Sequence, residues 1–214
     1  MNETAVIIRG DIIGSKKITN KSEFWLKLDE VISRINKEFK HQLEYDIEIF
    51  KGDELTAMCK NPSKEADEDP VKIAYMIASK MFEYLSPIKI RLVISEGEID
   101  SQRITNKLNE KDGEVFWNAS QTLQNLKKSK RYIGFSLKNK DKISIASKMA
   151  DIITELKYEW TETEKEIIKL YEYHKNQERV ARELGISQQS VSDALRRAKH
   201  KVIREAEKAL VDFL

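Results

Sequence analysis

Apolar residues along this chain recur at two different spacings, and the places where the spacing changes mark out its elements. Residues 4–10 are a short apolar run suited to a buried strand. Thr19 to about Leu43 predicts a helix, because Phe24, Leu28, Val31, Ile32, Ile35 and Phe39 recur at helical spacing with charges between them. Residues 44–50 and 54–60 read as a hairpin around Gly52. Asn61 to Pro70 is polar and holds two of the three prolines, which marks a loop. Helical spacing returns from Val71 to Leu85, with Pro87 to stop it. Ile88–Ile94 alternates apolar and basic residues, and Gly97 offers a turn. Gly113 precedes a helix from Val115 to about Leu126, in which Trp117, like Trp25 earlier, reads as core; Tyr132–Leu137 follows as a strand.

Strand, helix, strand, strand, helix, strand, then one more helix and strand, is the order of the split β-α-β repeat with an addition. The expected fold class is α+β. A ferredoxin-like domain spans residues 1–140, a connecting helix spans 141–160, and a small all-α helix-turn-helix domain spans 161–214.

Composition narrows the functions. Net charge is only +2 although 35% of residues are charged, so any affinity for DNA must come from a local patch. The single Cys59 excludes an internal disulfide and fits a reducing cytoplasm. No stretch approaches the roughly 18 apolar residues of a membrane span, and the Met1-Asn2-Glu3-Thr4 start is not a signal peptide, so no membrane partner is expected. His41, His174 and His200 lie far apart and do not form a zinc site.

Two acidic segments carry candidate chemistry. Gly10-Asp11-Ile12-Ile13-Gly14 ends the first strand, and Gly52-Asp53-Glu54 turns the hairpin. In the split repeat the first two strands run parallel with the third between them, so Asp11 and Asp53 emerge at one edge. Mg²⁺ takes few protein oxygens and fills its octahedron with phosphate and water, so two carboxylates there suit a purine nucleotide carried with Mg²⁺. Asp11 and Asp53 are the metal candidates; Ile12, Gly14, Gly52 and Glu54 complete the candidate nucleotide site. The ordinary alternative is turn chemistry, in which Gly takes positive φ and Asp bonds its own backbone.

These residues permit a comparison. Gly10-Asp11-Ile12-Ile13-Gly14 resembles the first metal-binding strand end of class III nucleotidyl cyclases. Lys51-Gly52-Asp53-Glu54-Leu55 resembles their second metal-aspartate hairpin and the signature hairpin of diguanylate cyclases. Ile90–Gly97 is similar to the cyclase strand after the second helix, and Asp112–Ala119 to their Gly-containing turn into a helix. With the C-terminal segment described next, the whole chain resembles the SatD family of bacterial proteins, which implies a cyclase-like palm joined to a DNA-binding end. The resemblance also implies an Asn on the last helix with an Arg one turn later to stabilise the transferring phosphate. Asn118 matches the Asn, but the next turn holds Gln121 and Thr122, and no basic residue follows until Lys127. Such an arginine is worth factors of ~10³ or more, so its absence argues against fast turnover unless Lys16, Lys17 or a partner subunit's lysine substitutes.

Gln177 to Val191 has the pattern of a helix-turn-helix: small Ala181 for a close crossing, Gly185 for the turn, and Leu184, Ile186, Val191 and Leu195 behind them. Ser187 suits an N-cap. Gln188, Gln189, Ser192, Asp193 and Arg196 then face away from the core, where Gln and Arg match adenine and guanine edges in the major groove of double-stranded DNA. Gln177, Arg179, Arg182, Ser190, Arg197, Lys199 and Lys201 complete the DNA-binding candidates, the basic ones as phosphate contacts, as is Arg204 further along.

Three functions fit. The first is a DNA-binding transcriptional regulator with a nucleotide- and Mg²⁺-sensing cyclase-like domain, working as a homodimer. The second is a nucleotidyl cyclase or related phosphotransferase with a DNA-binding tail, against which the missing arginine counts. The third is a catalytically dead cyclase-like domain that only dimerises a DNA-binding protein.

Overall fold

The computed structural model describes residues 3–15, 18–50, 52–61, 69–100, 108 and 111–214, so most of the expected loop from Asn61 to Pro70 lies outside the described residues. The elements follow in the order β1 (Glu3–Ile12), α1 (Lys21–Glu38), β2 (Leu43–Phe50), β3 (Glu54–Cys59), α2 (Pro70–Leu85), β4 (Ile90–Ile99), α3 (Glu114–Ser129) and β5 (Ile133–Ser136). Five helices then end the chain: α4 (Lys140–Tyr158), α5 (Glu162–His174), α6 (Gln177–Leu184), α7 (Gln188–Arg197) and α8 (His200–Phe213).

β1 is the middle strand of a five-stranded sheet ordered β2-β3-β1-β4-β5. It pairs antiparallel with β3 and β4, and β3 pairs antiparallel with β2, so β1 and β2 run parallel with β3 between them. β5 adds to the far side of β4 as a parallel strand. Alternation along β1 divides the core. Val6, Ile8 and Ile12 point to the face covered by α1, α2 and α4, while Ala5 and Ile7 point to the face under α3. α1 forms where Phe24, Leu28, Ile32 and Ile35 make one buried stripe, and Asn20 starts it by accepting from the Glu23 N–H.

Two glycines expected at turns stand inside strands instead. A Cβ at Gly10 would lie 2.1 Å from the Arg91 carbonyl oxygen, so the glycine serves the close approach of β1 to β4, and β1 runs on to Ile12. A Cβ at Gly97 would lie 3.1 Å from the Val115 Cα, so this glycine lets α3 rest on β4, which continues to Ile99. Trp117 departs from its expected core place and is 74% exposed on α3, whereas Trp25 packs edge-to-face on Phe24 at 4.9 Å.

α5 to α8 share one apolar core with the sheet: Trp160, Ile167, Ile168, Val180, Val191, Ile203 and Leu210 are buried in the same cluster as Ile8 and Leu92. α8 lies on α4 and α2, and charged side chains cross that contact. Lys157 Nζ lies 2.5 Å from Glu207 Oε1, 2.9 Å from Ser79 Oγ and 3.3 Å from Glu83 Oε2. Arg204 donates to Glu207 at 2.6 Å and to Glu83 at 3.1 Å, and pairs with Glu172, which His200 also meets at 3.2 Å. Among the described residues, no helix is long and apolar enough to cross a membrane.

Candidate functional site

β1 carries Asp11 into the sheet one residue before its end, opposite Glu54 of β3 and Arg91 of β4. Asp53 is its neighbour across the strand end, where the Ile12 N–H donates to the Asp53 carbonyl at 3.1 Å. The topology therefore brings the two aspartates to one edge, as the order of elements implied. Asp11 belongs to the strand, not to a turn after it, and is only 7% exposed. Gly14 and Gly52 follow as turn glycines with φ of 76° and 87°. Ile12 points into the core, so at this edge it offers main chain only.

Each acidic side chain at the edge has a separate partner. Asp11 Oδ2 accepts from Arg91 Nη1 at 3.4 Å and is 3.2 Å from Lys127 Nζ. Asp53 Oδ2 accepts from the Ser15 hydroxyl at 2.7 Å, and Glu54 takes Arg9 at 3.2 Å. Asp11 thus meets two cations, Glu54 one and Asp53 a hydroxyl, so among the described residues three acids are matched in number by three bases. Asp11 Oδ1 and Arg91 Nε are buried without a hydrogen-bond partner among the described residues. Two unsatisfied polar atoms on one ion pair are costly, and a ligand or water that bonded them would remove that cost.

Arg91 and Lys127 are the residues that sequence reasoning missed. Arg91 was part of an alternating strand, and only the register sets it beside Asp11. Lys127 stands in the last turn of α3, nine residues after Asn118 and so about 13 Å further along the helix axis. Asn118 itself donates to Glu114 at 3.2 Å within α3, and the structure does not bring it to Asp11. Lys16, Lys17 and Lys51 lie outside the described residues. Cys59 is buried, and burial pushes its thiol up to about 12, which makes it inert as a nucleophile.

Among the described residues no three His, Cys, Asp or Glu side chains converge as cation ligands. A free divalent ion does not fit this edge, since it would have to displace Lys127 and Arg91 from a balanced set. A nucleotide carried with its Mg²⁺ would bring compensating negative charge to these residues. Arg91 and Lys127 would then hold its phosphates and Asp11 and Asp53 the ion, with Asp11 Oδ1 buried and without a hydrogen-bond partner among the described residues.

α6 and α7 form the second candidate surface. α6 closes on Gly185 (φ 65°), with the Ile186 N–H on the Ala181 carbonyl and the Gly185 N–H on that of Arg182, the two bonds of a Schellman turn. Ser187 then caps α7 by accepting from the Ser190 N–H at 3.0 Å. Val180, Ala181, Val191, Ala194 and Leu195 are buried and fix the pair; Ile186, expected behind them, is exposed. Arg179, Arg182, Ser187, Gln188, Gln189, Ser190, Arg196, Arg197, Lys199 and Lys201 are exposed, while Gln177, Ser192 and Asp193 are half-buried. Asp193 accepts from Gln189 at 3.2 Å and from Arg196 at 2.9 Å, which holds both donors on one face of α7. Glu164 of α5 pairs with Arg197 at 3.5 Å, and the Trp160 indole donates to the Ala198 carbonyl at 2.8 Å.

Solved structures similar to this chain include the guanylate cyclase domain of RhGC from Catenaria anguillulae in complex with GTP. It is 18% identical, with a TM-score of 0.40 over 57% of this chain and 73% of that one. Another is the adenylyl cyclase CyaB from P. aeruginosa, 14% identical, with a TM-score of 0.43 over 58% of this chain and 73% of that one. A third is the active GGEEF domain of a diguanylate cyclase from Vibrio cholerae, 18% identical, with a TM-score of 0.39 over 63% of this chain and 83% of that one. No curated protein matches. The profile of the SatD family, by contrast, matches residues 5–214, sheet and terminal helices together, and the chain belongs to the SatD family.

Proposed function

We propose that this chain is a homodimeric transcriptional regulator that reads double-stranded DNA with α7. The observation that carries the reading is the division of α6–α7 into a buried apolar side and an exposed polar side. Val180, Ala181, Val191, Ala194 and Leu195 fix the two helices, while Gln188, Gln189 and Arg196 stand exposed at the other side, the last two held by Asp193. A recognition helix contacts bases through its N-terminal residues, which assigns base reading to Gln188 and Gln189 with Ser192 beside them. Arg179, Arg182, Arg197, Lys199 and Lys201 then meet phosphates. The buried, unpaired Cys59 suits a reducing compartment, the cytoplasm. Selection from a random duplex pool tests the reading. A defined sequence should emerge, and Gln188→Ala with Gln189→Ala should relax it at one or two positions by about 1–3 kcal/mol each. Failure of the full chain to bind any duplex at low salt would sink it. For the dimer, Trp117→Ala should lower the mass measured by light scattering if the exposed indole is covered by a second copy.

A second reading, compatible with the first, is favoured by the unpartnered Asp11 Oδ1 and Arg91 Nε. It makes the acidic edge the effector site for a purine nucleotide with Mg²⁺. Asp11 and Asp53 would hold the ion, Lys127 and Arg91 the phosphates, and the ion would neutralise phosphate charge when bound. Separation of Asn118 from Asp11 supports binding over turnover. Incubation with ATP or GTP and Mg²⁺ or Mn²⁺, with product chromatography, separates the two outcomes; a cyclic product absent from Asp11→Asn would make the chain a cyclase instead.

A further inference from the structure

α5, α7 and α8 enclose an open groove of about 870 Å³ beside the proposed reading surface, bounded by Gln177 at the start of α6 and Arg196 at the end of α7. Six of its lining side chains are Lys or Arg against two Glu; Arg196 is paired with Asp193 and Arg204 with carboxylates behind the lining, so the uncompensated positive charge comes from the four lysines. The cations differ in what they already hold. Arg204 is spent on Glu83, Glu172 and Glu207. Lys201 has only Glu205 at 3.9 Å, and among the described residues Lys175, Lys199 and Lys208 have no carboxylate partner.

Lys199 is the most informative. It is the N-cap of α8 and takes φ 52°, a left-handed conformation that favours Gly or Asn. An N-cap favours Ser, Thr, Asp, Asn or Gly, and a helix N-terminus repels positive charge. Lys199 also closes the end of α7, where its N–H bonds the Arg196 carbonyl at 3.0 Å and the helix dipole suits a cation, so it is the left-handed backbone and the missing side-chain cap of α8 that count against lysine here. Lys175, across the groove at the C-cap of α5, is left-handed too (φ 51°) and unpaired. Lys130 takes the same conformation at the C-cap of α3, outside this groove, so the backbone alone assigns no ligand; what sets Lys175 and Lys199 apart is that both stand exposed, with no carboxylate partner among the described residues, in one basic groove.

We propose that this groove holds the phosphodiester backbone flanking the bases read by α7, with Lys175, Lys199, Lys201 and Lys208 as its phosphate contacts. The assignment rests on the DNA-binding reading and extends it from one helix face to a groove between α5 and α8. Phosphate contacts release counterions, so they set the salt dependence of affinity without choosing a sequence.

The test measures anisotropy of a labelled random-sequence duplex with the full chain across a salt series. With Lys175→Gln, Lys199→Gln, Lys201→Gln and Lys208→Gln combined, the slope of log affinity against log salt should fall by about 2–4, near 0.9 for each phosphate no longer neutralised. The four Lys→Arg replacements should keep it. Lys199→Asn alone guards against a folding artefact. It should raise the melting temperature, by relieving the backbone and capping α8, while lowering the slope by about 0.9. A wild-type chain that binds duplex with a slope these variants leave unchanged overturns the groove assignment but not the reading by α7. A wild-type chain that binds no duplex overturns both. Saturable ATP binding that is abolished in the fourfold Gln variant, with the duplex slope unaltered, reassigns the groove to a free nucleotide.

Discussion

Around Lys157 and around Asp11 the fold takes charge out of water, but only the first group closes its hydrogen bonds. Lys157, Glu83, Glu207, Arg204, Glu172 and His200 bridge α2, α4, α5 and α8, and among the described residues none of their buried atoms lacks a partner. At the sheet edge Asp11 shares one oxygen between Arg91 and Lys127 and leaves the other bare. A closed network is costly to open and serves to hold helices in place. An open one has capacity left over, which is what a ligand site requires. The closed group therefore docks α5 and α8, the helices before and after α6 and α7, and the edge with spare valence lies elsewhere on the sheet.

The largest test of this contrast is Lys157→Met. The ammonium is almost wholly buried, and removing it leaves the Glu83, Glu172 and Glu207 carboxylates with Arg204 as the one lysine or arginine of the group, so unfolding free energy should drop by about 3–5 kcal/mol in denaturant titration. Lys157→Met with Glu207→Leu should recover much of that drop, because hydrophobic replacement of a buried pair is often neutral or better. A single-variant effect under about 1 kcal/mol would mean that the group is wetter and looser than its distances state.

Acid should act on the same group. Burial pushes the Glu172 carboxyl up, but the hydrogen bond from His200 and the charge and hydrogen bonds of Arg204 outweigh it, and it falls to about 2. Glu207 is likewise lowered: burial opposes, and Lys157 and Arg204 prevail. A carboxylate depressed in the folded state stabilises it above the unfolded value near 4.5, and that stability drains as pH falls from there toward about 2. Melting temperature should decline through that window. Glu172→Gln should start lower and decline less, and equal slopes in the two proteins would break the assignment.

At the edge the expected stability effects are smaller. Asp11→Asn leaves Arg91 and Lys127 without a counter-charge, and since the site is at the sheet's rim the cost is about 1–3 kcal/mol. The sharper readout is nucleotide: ATP or GTP with Mg²⁺ should raise the melting temperature of the wild-type chain and not of Asp11→Asn, because a ligand of the folded state must stabilise it. An equal rise in both proteins would remove the edge from the effector reading.

How legible all this was in the sequence follows from range. The strand order was readable, because the apolar runs at 4–10, 44–50, 54–60 and 88–94 and the helices between them specify a split repeat from local pattern alone. That order already carried Asp11 to Asp53. Gly97 was misread because its reason is a helix packed on it from eighteen residues away, not a local turn. Trp117 sits at a helical position that periodicity assigns to a core, yet Phe116 and Ala119 take the buried side. Lys157 and Glu207 were invisible, since a charged residue reads as surface until a partner 50 positions away is placed against it. Arg91 and Lys127 were hidden for the same reason, and both depend on register.

Lys127→Ala is the smallest change and the one that separates the two kinds of charge cluster most cleanly. Its side chain is 47% exposed and hangs from the last turn of α3, whereas that of Arg91 is 15% exposed and fixed by the strand. Only the lysine is free to leave Asp11 and follow a phosphate. Its removal should therefore cost no more than about 1 kcal/mol of stability, as for an exposed pair. The nucleotide-dependent rise in melting temperature should nevertheless shrink toward that of Asp11→Asn, and Lys127→Arg should restore it. If Lys127 is only a counter-ion for Asp11, the order reverses: the unliganded protein loses stability and its nucleotide response survives. In that case Asp11 belongs with Lys157, as structure, and DNA reading by α7 is left as the function without an effector at the sheet edge.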